Sequence, residues 1–145
     1  MSRRLQKEYN YMQSGPLEDC TALPIVASDL ENWSGHITGP PGTPYAQRTL
    51  AFEMVFPDAY PLQPMAIAFV SPIPFHPNIS SETGVVQMRE LNWSNWSPVL
   101  TVPNVLICLQ ALLSDPELEF GVVNEEAKRL YVEDRGEFER RASAQ

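Results

Sequence analysis

The chain is predicted to fold as a single α+β domain spanning residues 1–145, and three observations carry that expectation. An amphipathic helical pattern opens the sequence. Alternating segments separated by proline-rich turns fill the middle, and broad apolar stripes of helical period close it. Most of the fourteen prolines lie between Pro40 and Pro103, which marks that half as strands and fixed loops. The predicted order is an N-terminal helix, a four-stranded antiparallel meander and two to three C-terminal helices.

Residues 2–13 place Leu5, Tyr9 and Met12 on one helical face, with Arg3, Arg4, Lys7 and Glu8 on the other. Ser14-Gly15-Pro16 ends that helix. Residues 20–27 read as a first strand, and Asn32 to Thr38 as a second. Gly39 to Tyr45 is too rich in glycine and proline to be anything but a loop. From Arg48 to Phe56, Leu50, Phe52, Met54 and Phe56 alternate with Thr49, Ala51, Glu53 and Val55, so the aromatic set faces a core. Pro57 to Pro64 is a second constrained loop, and Ala66 to Val70 a short fourth strand. Thr101 or Val102 can cap a helix that carries Pro103 in its first turn. Its stripe is Val105, Leu106, Leu109, Leu112 and Leu113, with Cys108 read as a core thiol, and Asp115-Pro116 ends it. Asn124 opens a helix to about Val132. Asp134 to Glu137 has capping-box spacing for a last short helix to Arg141.

Composition removes several classes of function. Ten Lys and Arg against eighteen Asp and Glu give a net charge of −8, which disfavours nucleic acid and anionic membrane surfaces. No run of apolar residues approaches transmembrane length, and the basic N-terminus lacks the apolar core of a secretory leader. A cytoplasmic and/or nuclear location is expected, and there the four Asn-X-Ser triplets at Asn32, Asn78, Asn92 and Asn95 would not be glycosylated. Cys20 and Cys108 make no spaced cluster with His36 and His76, so neither a metal nor a cofactor is expected. A disulfide between the two cysteines is not expected in a reducing compartment.

The chain is organised around Phe75 to Leu100. Pro77 fixes its own backbone and biases His76 towards extended geometry, and Asn78 can bond nearby backbone from its side chain. Around this stretch the sequence resembles the ubiquitin-conjugating enzymes over nearly its whole length. The landmarks are Ile37-Thr38-Gly39-Pro40 with Thr43-Pro44-Tyr45, Phe56-Pro57-Asp58-Ala59-Tyr60-Pro61, Phe75-His76-Pro77-Asn78-Ile79, Trp96-Ser97-Pro98 and Leu112-Leu113-Ser114-Asp115-Pro116. Tyr60-Pro61-Leu62-Gln63-Pro64 and Glu82-Thr83-Gly84 are similar to the peroxisomal member of that family. The resemblance implies the family fold, called UBC.

In that family a cysteine a few residues after the His-Pro-Asn turn carries ubiquitin as a thioester and passes it to a lysine. The asparagine, here Asn78, steadies the developing oxyanion or orders the loop. Aligned on Gly84, Gln87 takes the cysteine's place, and a one-residue shift offers only Val86 or Met88. A carboxamide cannot form a thioester. The family's Leu-Asp after the cysteine is here Met88-Arg89. Its acidic residue beyond the Asp-Pro turn falls at Phe120, with Glu119 beside it. The segment from His76 to Trp96 is also longer than is common in the family.

The resemblance therefore implies a non-catalytic partner or scaffold in the ubiquitin, or a ubiquitin-like, conjugation pathway. In that reading His76 and Asn78 hold the loop. The alternative is an active enzyme transferring ubiquitin to lysine, with Gln87 a substitution of the catalytic cysteine. Partners implied are ubiquitin or a ubiquitin-like protein, a ubiquitin ligase, an activating enzyme or an active conjugating enzyme. The docking residues implied are Arg3, Arg4 and Lys7 on the first helix, Leu62, and Pro98 and Val99. The sheet face near Thr21 is where some relatives bind ubiquitin without a covalent bond.

Overall fold

A computed structural model describes residues 3–144. Helix α1 (Arg3–Gln13) leads into strands β1 (Cys20–Pro24), β2 (Asn32–Thr38), β3 (Thr49–Val55) and β4 (Ala66–Phe69). Helices α2 (Val102–Ser114), α3 (Glu125–Glu133) and α4 (Arg135–Ser143) follow a 3-10 turn at Arg89–Leu91. The strands pair antiparallel in chain order, β1-β2-β3-β4, which is the expected meander. The expected start of the first helix at Ser2 lies outside the described residues.

The alternation in β3 does what its period requires: Leu50, Phe52 and Met54 are buried while Thr49, Glu53 and Val55 are exposed. Ile37 faces Leu50 and Trp33 faces Met54 across the β2–β3 ladder. The same core takes in α2, whose Val105, Leu106, Leu109, Leu112 and Leu113 are all buried. Thr101 is its cap. The threonine Oγ1 accepts from Asn104 N, and the Asn104 side chain accepts from Thr101 N in return, a closed box worth about 1 kcal/mol.

Two boundaries and one helix face differ most from expectation. The first strand ends at Pro24: Ile25 N makes one last bond to Asn32 O at 3.0 Å, and the chain then turns, Asp29 N donating to Val26 O at 3.0 Å, which leaves Ile25 and Val26 exposed. The last helix runs on to Ser143, its start fixed by Asp134 Oδ1 accepting from Glu137 N. On α1 the buried stripe is Leu5, Glu8 and Met12, with Tyr9 half-buried, so Glu8 points inward and not to solvent.

The free edge of β4 carries the segment of most interest. Phe69 N donates to Gly84 O at 2.8 Å and Val86 N to Ile67 O at 2.9 Å, so residues 84–86 extend the sheet. Gly84 has φ of +78°, and a Cβ there would lie 2.0 Å from Phe69 O. Glycine is required at that approach.

Candidate functional site: a closed rim and an apolar corner

The turn at His76–Asn78 is bound from every side. The Tyr45 hydroxyl donates to Phe75 O at 2.5 Å, at the mouth of the turn. His76 is fully buried; its Nδ1 accepts from Asn78 N at 2.9 Å, so Nε2 carries the proton and donates to Leu112 O at 2.8 Å. Burial pushes its pKa down to about 4, although the bond to Leu112 opposes the shift, and the ring is neutral at pH 7.

Asn78 is equally committed. Its Nδ2 donates to the carbonyls of Glu117, Phe120 and Gly121 at 2.9, 3.0 and 3.1 Å, and its Oδ1 accepts from Glu117 N at 2.9 Å. Two N–H groups already serve three carbonyls. The side chain is wholly buried, and the arrangement fastens the 117–121 segment to the turn. In this geometry the Asn78 amide holds backbone and faces no open space.

Gln87 lies on the same rim. Its N–H donates to Asn78 O at 2.8 Å, and its side chain is exposed, whereas Val86 and Met88 are 3% and 1% exposed. Of these three positions, only 87 presents a side chain outward. Gly121, at φ +68°, passes so close that a Cβ would meet Gln87 O at 2.9 Å. Beyond Gln87, Glu117 grips Arg89 twice: Oε1 accepts from Arg89 N at 2.8 Å and Oε2 from Arg89 Nε at 3.1 Å. The guanidinium also sits 5.5 Å from the centre of the Phe120 ring. Glu119 is exposed and takes no part in these contacts.

The surroundings of both cysteines favour the protonated thiol. Cys20 is buried in β1, its pKa pushed up to about 12 by burial and then by Asp19. Cys108 is half-buried on α2, at the margin of the core and not within it. Burial first, then the carboxylate of Glu90, raises its pKa. Thiols held protonated in this way are poor nucleophiles. Both are free of disulfide. Among the described residues, no group of three or more His, Cys, Asp or Glu is placed to hold a metal ion, and no helix is long and apolar enough to cross a membrane.

Four of the expected docking residues, Arg4, Leu62, Pro98 and Val99, belong to loops and a helix that are bonded to one another at one corner. Trp96 Nε1 donates to Pro61 O at 2.8 Å, joining the loop of Leu62 to the loop of Pro98 and Val99. Leu62 is 76% exposed and Val99 80% exposed. Arg3, Lys7 and Pro98 are exposed as well, and Thr21 lies on the open face of the sheet opposite His36. Arg4 differs. Its Nη1 and Nη2 donate to Pro98 O and Leu100 O at 2.8 and 2.7 Å, and its Nε pairs with Glu8 Oε2 at 3.1 Å. Glu8, which sequence reasoning placed on the solvent side, also accepts from Val102 N at 2.8 Å and from the Tyr60 hydroxyl.

An N-terminal helix, a four-stranded meander backed by a long helix and a buried His-Pro-Asn turn beside an exposed rim position define the ubiquitin-conjugating class of α+β domain. The chain belongs to that family: residues 4–145 match the ubiquitin-conjugating enzymes. It is 42% identical over 119 residues to ubiquitin-conjugating enzyme E2 pex4 of Dictyostelium discoideum, covering 82% of this chain and 78% of that protein. A ubiquitin conjugating enzyme from Plasmodium yoelii superposes with a TM-score of 0.84 at 35% identity, covering 99% of this chain and 92% of the other. The E2 domain of a Toxoplasma gondii ubiquitin conjugating enzyme also gives 0.84, at 34% identity, covering 97% and 92%.

Proposed function

We propose that this chain is a non-catalytic member of the ubiquitin-conjugating family that acts as a binding partner or scaffold in the ubiquitin, or a ubiquitin-like, conjugation pathway. The observation that carries the reading is Gln87. It is the exposed residue of the rim where the family places a thioester-forming cysteine, and its carboxamide supplies no nucleophile. The raised pKa values and the burial of Cys20 and Cys108 argue against either thiol taking over.

Two further features support it. The polar groups of His76, Asn78 and Glu117 are engaged in holding backbone, as expected of a loop kept for its shape. The apolar corner of Leu62, Pro98 and Val99 stays open to solvent, as a surface for a ligase, an activating enzyme or an active conjugating enzyme would. Action in the cytoplasm and/or nucleus fits this role. The identity to the pex4 enzyme makes that branch of the family the first place to seek its partner.

A charging assay tests the reading. The protein is mixed with ubiquitin, activating enzyme and ATP, and the products are run without reducing agent beside an active conjugating enzyme. The expected result is no thiol-sensitive band one ubiquitin heavier. Such a band would overturn the proposal and direct attention to Cys20 and Cys108.

A further inference from the structure

We propose that Glu8 is a positioning residue for the docking corner: its buried carboxylate, acting through Arg4 and Tyr60, fixes Leu62 and Val99 in register for a partner with a shallow apolar face. The inference rests on the reading that this corner meets proteins of the ubiquitin pathway.

The geometry is specific. Val99 is 80% exposed, yet the carbonyls on either side of it, Pro98 O and Leu100 O, are both held by one guanidinium. That guanidinium is oriented by Glu8 Oε2, which also accepts from the Tyr60 hydroxyl two residues before Leu62. The other oxygen, Oε1, accepts from Val102 N at the start of α2. The ring of Tyr60 lies 6.2 Å from that of Trp96, whose indole N–H holds Pro61 O, and Leu62 N closes a turn on Ala59 O at 2.7 Å. One carboxylate, 5% exposed, thus touches α1, both docking loops and α2, directly or through Arg4.

A carboxylate suits this place because every group facing it is a donor. Arg4 Nε, Tyr60 OH and Val102 N all point inward, and charge-assisted bonds offset its removal from water. A glutamine of the same shape would turn an NH₂ towards at least one donor. A surface already ordered also avoids the loss of side-chain and loop freedom that weakens association.

The test compares the native protein with Glu8→Gln, Tyr60→Phe and Ile67→Val. Ile67 is a buried core residue of β4 outside the corner and serves as a control for general loss of stability. The readouts are backbone amide order parameters and affinity for immobilised ubiquitin-activating enzyme. Glu8→Gln is expected to drop the order parameters of residues 61–63 and 98–100 from the rigid range of about 0.85 to below about 0.6, and to weaken binding about tenfold. Tyr60→Phe should loosen 61–63 alone, and Ile67→Val should change neither readout. Unchanged order in both corner variants, or binding that falls no further than in Ile67→Val, would overturn the inference. Leu62→Ala separates the two levels of the argument. Binding lost in that variant but kept in Glu8→Gln would remove the positioning role and leave the docking surface; binding kept in both would remove both.

Discussion

The rim around Gln87 and the corner around Val99 are both held by dense hydrogen bonding, but they turn opposite chemistry to solvent. At the rim, the side chains that the family resemblance marks for catalysis face inward: His76 to Leu112, Asn78 to the carbonyls of 117–121. Glu117 closes on Arg89 rather than standing free, and the side chain that position 87 turns outward is an amide. At the corner the polar groups also face inward, through Glu8 and Arg4, but two large apolar side chains are left standing in water. The proposed function rests on this difference: an amide offers no nucleophile for a thioester, whereas exposed leucine and valine offer the kind of surface a partner could cover.

The sharpest way to break this contrast is Asn78→Ala. It leaves the carbonyls of Glu117, Phe120 and Gly121 and the N–H of Glu117 without their partner in a buried site. A loss of about 3 kcal/mol in denaturant unfolding is expected, several times the roughly 1 kcal/mol expected for Tyr60→Phe at the corner. A loss below about 1 kcal/mol would show that Asn78 is not the fastener of the rim.

Acid offers a second test. The folded-state pKa of His76, about 4, lies below its ordinary 6.5, so the unfolded chain binds the proton first as pH falls. Stability from the buried neutral ring is therefore full above about 6.5 and lost between about 6.5 and 4, up to roughly 3 kcal/mol in all. His76→Gln should flatten that part of the stability profile. A native profile that is already flat there would mean that the ring is not held neutral as described.

How much of this was legible in the sequence depends on how far each partner lies along the chain. The alternation from Leu50 to Phe56 is local and was read correctly; the start of α2 is local too, but the reading left Thr101 and Val102 as alternatives, and the structure makes Thr101 the cap with Asn104 as its partner. Ile25 and Val26 looked like strand because they are apolar, but they follow the last paired residue and turn away. Glu8 was misplaced because its partners, Tyr60 and Val102, are 52 and 94 positions away, and a glutamate on a mixed helix face is ordinarily solvated. Arg4 was read as a docking residue, and its hold on Pro98 and Leu100 carries no local signal. At the rim the sequence supplied Gln87, Arg89 and Phe120 as departures from the family; the closure of Glu117 on Arg89 emerged only from the fold.

The most direct measurement is a single-turnover lysine discharge by Gln87→Cys, charged with ubiquitin by the activating enzyme and chased with free lysine. If the rim differs from an active site in more than its nucleophile, the thioester should persist, because by the family resemblance Phe120 stands where a carboxylate would take the proton of the attacking amine, and Arg89, packed against it, also departs from the family pattern. Rapid discharge, at the rate of an active conjugating enzyme run alongside, would contradict this and reduce the whole difference to a single side chain.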